Sequence, residues 1–236
     1  MTDLRRDTIL TNSYKSGFFR SYFFTFEDNI MSFRTLKDFA SASFTEKKSE
    51  FIGSAAPVKT NDEAVAFINK IKSENRKARH NVYAYILRDQ GITRYSDDGE
   101  PQGTGGVPVL EVLQKEGLYD VCVVVTRYFG GILLGTGGLT RVYSKGCKIA
   151  IEAAQIMEMH KAKTVSIFIN YSLYGKISSL LPSFDVKIIS NEFSNDVCLK
   201  LMVKSENVLP LTEKITDESF GTAKIEISDE YYGDFA

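Results

Sequence analysis

The stretch VCVVVTRYFGGILLGTGGL, residues 121–139, decides how this chain is read. Its first five residues are valine except for Cys122, an unbroken apolar run of the kind that forms a strand buried on both faces. The run ends in Arg127, Tyr128 and Phe129. Gly130, Gly131, Gly135, Gly137 and Gly138 then surround the aliphatic spacer Ile132–Leu134. A core does not need that many glycines, and a flexible linker does not need the aliphatics. The pattern predicts that something approaches the backbone closely here. Arg127 falls at the C-terminal end of the strand, where α/β proteins place ligand contacts.

Eleven of the 17 glycines lie between Gly99 and Gly146, and nine of these group into two loops. One is the stretch above; the other is SDDGEPQGTGGVP, residues 96–108. Each precedes a predicted helix. A glycine-rich turn entering a helix points backbone N–H groups at an anion, with the positive end of the helix dipole behind them. The segment GTGGLT has Thr140 where GxGxxG needs its last glycine, and no GK[ST] is present, so no nucleotide cofactor is predicted. The competing reading is that the glycines serve tight turns and close helix–sheet packing.

The candidate phosphate- or nucleic-acid-binding residues are Arg127, Tyr128, Gly130, Gly131, Gly135, Gly137 and Gly138, with Gly103 and Thr104 from the first loop. A guanidinium beside exposed rings suits phosphate contact with base stacking. Alternatively Arg127 pairs with first-loop carboxylates while the rings pack inward. The candidate catalytic residues are Asp97, Asp98, Glu100 and His80. Clustered carboxylates suit a cation or acid–base chemistry, yet Asp-Gly is also a common turn. His80 follows RKAR, so it reads either as a structural histidine or, with Arg79, as the edge of a basic groove. Arg127 is expected on a concave surface formed by both loops, oriented by Asp97, Asp98 or Glu100. Its replacement is expected to weaken binding and to leave the fold largely intact.

Composition narrows the function classes. The chain has 236 residues, 43% hydrophobic and 25% charged, with a formal net charge of −1. Any attraction for nucleic acid must therefore come from a local patch. Three widely spaced cysteines without a CxxC argue against a disulfide framework, and two histidines make a zinc site hard to assemble. No metal is predicted, and the thiols are read as reduced, in a cytoplasmic protein. No run approaches the ~20 apolar residues of a membrane span. For residues 1–30 two readings stand: an aromatic extension, or a biological start at Met31.

Outward from the central strand, periodicity predicts two short strands within 41–58 turning near Lys47–Lys48. A helix capped near Thr60 follows, then a hairpin over 80–100 turning at 89–91, and a helix over 108–117 stopped by Gly117. The longest helix is predicted over 138–159. From residue 164 the order is strand, helix, strand, strand, helix, strand, a ferredoxin-like β-α-β-β-α-β unit. The tail EISDEYYGDFA is read as an exposed end. The expected domains are 31–161 and 162–236, preceded by the 1–30 extension.

The segments HNVYAYIL, SDDGEPQGTGGVPVLEVL and VVVTRYFGGILLGTGGLTRVYSKG resemble the YigZ/IMPACT family, closely over residues 39–154. The resemblance implies an α+β protein of two domains. The first would be a two-layer α/β domain like domain IV of elongation factor G, the second a ferredoxin-like domain. Eukaryotic IMPACT proteins regulate translation partly through an RWD domain, which this sequence lacks, so their partner is not carried over. The bacterial branch implies a nucleic-acid- or ribosome-binding role. Two alternatives stay open: an enzyme acting on a phosphorylated small molecule with Asp97, Asp98 and Glu100, and a protein–protein regulator. The family motif brings no assigned catalytic residue and no cofactor, and it leaves the oligomeric state open.

Overall fold

A computed structural model describes residues 31–89 and 91–235; the expectations for residues 1–30 lie outside the described residues. The chain divides into two compact units. One is Phe33–Met157; the other runs from Glu158 onward and includes Met31 and Ser32.

The first unit opens within β1 (Ser32–Leu36), whose Arg34 carbonyl accepts from Tyr119 N at 2.9 Å. Strands β2 (Ala40–Glu46) and β3 (Ser49–Pro57) form a hairpin, with Lys47 and Lys48 at positive φ in its turn, as the alternation predicts. Helix α1 (Asn61–Glu74) is capped by Thr60, whose side chain accepts from Glu63 N. Then come β4 (His80–Leu87), β5 (Ile92–Ser96), α2 (Gly106–Lys115), β6 (Val121–Tyr128) and α3 (Thr136–Ala154). The strands form an antiparallel sheet in the order β2-β3-β6-β4-β5.

Strand β6 is central because its side chains are apolar on both faces. Val121, Val123 and Val125 pack with α2 and α3, through Val109, Leu113, Leu139 and Val142. Cys122 and Val124 point the other way, into a cluster with Ala64, Ile68 and Ile71 of α1. All five residues of the run are fully buried. Each valine so buried contributes roughly 1.5–3 kcal/mol. Helices α2 and α3 cover one face of the sheet and α1 covers the other, so helices flank both faces where two layers were expected.

Helix α3 is shorter than the periodicity suggests. It ends at Ala154 because Gln155 takes a positive φ of 58°, and Ile156 begins β7 (Ile156–Ile169). The segment IMEM is amphipathic at either period, so sequence alone does not separate helix from strand there. The division between the units falls inside β7.

The second unit continues with α4 (Tyr171–Leu180), capped by Asn170, then β8 (Lys187–Phe193), β9 (Val197–Lys204), α5 (Ser205–Glu218) and β10 (Lys224–Ile227). The antiparallel order β10-β7-β9-β8 is the ferredoxin-like one. Val165, Ile167, Leu199 and Leu201 meet Ile177 and Leu211 in its core. The tail differs from expectation. Residues Tyr231–Asp234 form β11, which pairs with Met159–Ala162. Strand β7 is 14 residues long and β10 covers only Val165–Phe168, so the rest of that edge takes a further strand.

Candidate functional site

The two glycine loops look alike in sequence but differ at the N-termini they serve. Asp97, just after β5, turns back onto α2. Its Oδ1 accepts from Gly105 N at 2.9 Å and Gly106 N at 2.8 Å, and its Oδ2 from Gly103 N at 2.8 Å. The anion expected at this loop is thus the protein's own carboxylate. Gly105 has no room for a side chain: a Cβ there would stand 2.8 Å from Val82 Cγ2. Thr104 is buried and donates to Pro101 O. Gly103 and Thr104 therefore make hydrogen bonds within the turn and lie outside the cleft described below.

Helix α3 starts differently. Its N-cap is Gly135, with φ 71°, no side chain caps it, and no acid lies in its first turn. The first amide to bond back is Leu139 N, to Gly135 O. The amides of Thr136, Gly137 and Gly138 precede it, and a Cβ on Gly137 would meet nothing within 4 Å. This end opens on a cleft of about 400 Å³ lined by Arg79, His80, Glu100, Arg127, Phe129 and Leu133, among others.

Arg127 lies at the base of that cleft and is only 5% exposed. Its NH1 donates to Glu100 Oε1 at 2.6 Å, and Tyr143 OH from α3 donates to the same oxygen at 2.7 Å. The guanidinium lies against the rings of Phe51 and Phe129. Its Nε is buried without a hydrogen-bond partner among the described residues. Burial, then the adjacent Glu100 charge, push the Tyr143 hydroxyl far above the ordinary tyrosine range, so it stays a donor.

His80 Nδ1 lies 2.8 Å from the carbonyl of Asp98. A carbonyl only accepts, so Nδ1 carries the proton, and Nε2 is left 3.9 Å from Glu100 Oε1. Asp98 bonds elsewhere, to Lys72 Nζ at 2.7 Å and Asn81 N at 2.6 Å. Each of the three candidate carboxylates is therefore held by protein donors, and among the described residues no group of metal-ligating side chains converges. Arg79 is exposed and makes no ion pair among the described residues, which leaves a free cation at the cleft.

Other sequence candidates fall outside the cleft. Tyr128 follows Arg127 on β6 and so points to the opposite face, where its hydroxyl donates to Asn75 Oδ1 at 2.8 Å. Gly130 is a packing glycine: a Cβ would stand 2.0 Å from the Lys48 backbone. Gly131, at φ 84°, serves the turn, and Gly138 packs on Leu134. The structure thus gathers Arg79, His80, Glu100, Arg127, Phe129, Gly135 and Thr136. Tyr143 was missed from sequence, although a tyrosine on the apolar stripe of a helix needs a partner for its hydroxyl.

Residues 47–151 match the Impact N-terminal domain, and residues 167–222 match a domain of unknown function, DUF1949. The chain is 36% identical over 195 residues to the IMPACT family member YvyE of Bacillus subtilis, covering 82% of this chain and 90% of that one. It is 33% identical over 182 residues to the IMPACT family member YigZ of Escherichia coli, covering 76% and 89%. Protein IMPACT-A of Xenopus tropicalis is 38% identical over 100 residues, covering 39% of this chain and 30% of that protein. A crystal structure described as that of a hypothetical protein superposes with a TM-score of 0.54 at 30% identity, covering 85% of this chain and 98% of its own. No helix among the described residues is long and apolar enough to cross a membrane.

Proposed function

The chain belongs to the IMPACT family, and from that premise we propose that it binds RNA, free or within the ribosome, by seating a phosphate at the N-terminus of α3. The observation that carries this reading is the open helix end beside buried Arg127, whose Nε has no partner among the described residues. First-turn amides and the helix dipole favour an anion there. Arg79 adds an exposed cation to the cleft lining. Phe129 and Leu133 offer apolar surface beside it, and Leu133 is 82% exposed. A base leaving the phosphate has a ring to stack on. A role alongside translation follows from the family resemblance.

Fluorescence anisotropy with a short single-stranded RNA at rising salt tests the reading. Affinity should fall steeply with salt, and Arg79→Ala should weaken binding to every sequence and lower the salt slope by about 1. Absence of binding, or binding that ignores both salt and Arg79, contradicts it. Metal-dependent turnover of a phosphorylated small molecule, or a stoichiometric protein complex that survives nuclease, would put an enzyme or a protein regulator in its place.

A further inference from the structure

The donors and the charge at the α3 end suit a phosphate group that carries more than one negative charge. Three first-turn amides precede Leu139, the first residue to bond back, and Thr136, Arg127 and Arg79 line the same cleft; Arg127 Nε is buried beside it without a partner, and Arg79 makes no ion pair, among the described residues. A diester offers two non-bridging oxygens and one charge. A monoester offers three oxygens and a charge of roughly −1.5 to −2 at neutral pH. The charge balance agrees. Arg127 neutralises Glu100, and no acid stands in the first turn of α3, so Arg79 and the helix dipole remain uncompensated.

Size points the same way. A cleft of about 400 Å³ sits at the small end of the range for pockets that enclose a whole small ligand. It has room for about one nucleotide. Its walls are apolar where a nucleoside would lie, with Phe129, Leu133, Leu134, Leu139 and Pro101. We propose that the cleft recognises a phosphate monoester carried on a nucleoside, the chemistry shared by a phosphorylated RNA end and a free nucleoside monophosphate. This rests on the placement of phosphate at α3 in the reading above.

The test uses the full chain and one internally labelled oligoribonucleotide in three forms: phosphate at the 5′ end, at the 3′ end, or at neither. Unlabelled nucleoside monophosphate and nucleoside serve as competitors. A phosphorylated end should tighten binding at least about tenfold over the unphosphorylated strand, the scale of one added charge-assisted contact. The monophosphate should compete and the nucleoside should not. Preference for one phosphorylated end identifies RNA as the source. Competition by monophosphate without binding of any strand keeps the monoester site and removes the RNA reading. Equal binding of all three strands, with no competition, overturns the monoester site and leaves RNA binding standing. No binding by strands or mononucleotide overturns both.

Discussion

Arg127 both pairs with Glu100 and lines the cleft, and its neighbours show why its behaviour was only half legible. That it pairs with a first-loop acid follows from charge; that the acid is Glu100 depends on turns one residue apart, with Asp98 at φ 46° diverting its own carboxylate to Lys72. Strict alternation along β6 did put Arg127 and Tyr128 on opposite faces, so only one of them reaches the cleft. Burial changes the expected effect of mutation. Arg127→Ala leaves the Glu100 carboxylate buried with the Tyr143 hydroxyl as its hydrogen-bond donor among the described residues, and should lower stability by about 3–5 kcal/mol. Arg127→Ala with Glu100→Gln should recover much of that loss, because no uncompensated charge remains. Urea unfolding of both variants measures this. A loss under about 1 kcal/mol for the single change would show that the pair is not a structural element.

At the scale of elements, α2 and α3 are the instructive pair. Both follow glycine-rich loops, and both start without a capping side chain at the N-cap itself. What separates them is Asp97, eight residues before Gly105, which folds back to occupy the first-turn amides of α2. Sequence spacing does not reveal that return, because it depends on the turn at Asp98–Gly99, where both residues take positive φ. Asp97→Ala should cost at least about 3 kcal/mol, since three buried-side amides lose a charged acceptor at roughly 1.5–3 kcal/mol each, partly recovered by water. Asp97→Asn, which keeps an acceptor oxygen, should cost less. Thermal unfolding gives the order; equal losses in both variants would mean that charge at this cap is unimportant. Strand β11 is the other lesson at this scale. Its sequence is acidic and aromatic, and its place comes only from the length of the edge that β7 leaves open.

For the whole molecule, period and punctuation carried most of the architecture. The β-α-β-β-α-β order was readable because each strand alternates and each helix has a stripe. The central strand was readable because Val121–Val125 is apolar throughout. The extent of β7 was not readable, since Gln155 turns the chain without a glycine or proline to mark it. That matters for dissection. A fragment starting at residue 156 keeps the whole of β7 and should unfold cooperatively, as one core of Val165, Ile167, Leu199, Leu201, Ile177 and Leu211 requires. A fragment starting at 164 loses the β11 partner strand and should be less stable. A non-cooperative, disordered profile for the longer fragment in circular dichroism would show that this half depends on the first.

The most direct measurement is Gly137→Asp, read by RNA affinity and melting temperature together. The site has space for the side chain, and an acid in the first turn of a helix is worth about 0.3–1 kcal/mol in its favour. It also adds a negative charge to the helix end at which the phosphate should sit. The account predicts an unchanged or higher melting temperature with RNA affinity reduced at least about tenfold, the loss of one hydrogen-bonded charge contact. RNA affinity equal to that of the unmodified protein, with the melting temperature held, would contradict the claim that the open end of α3 is where this protein takes its ligand.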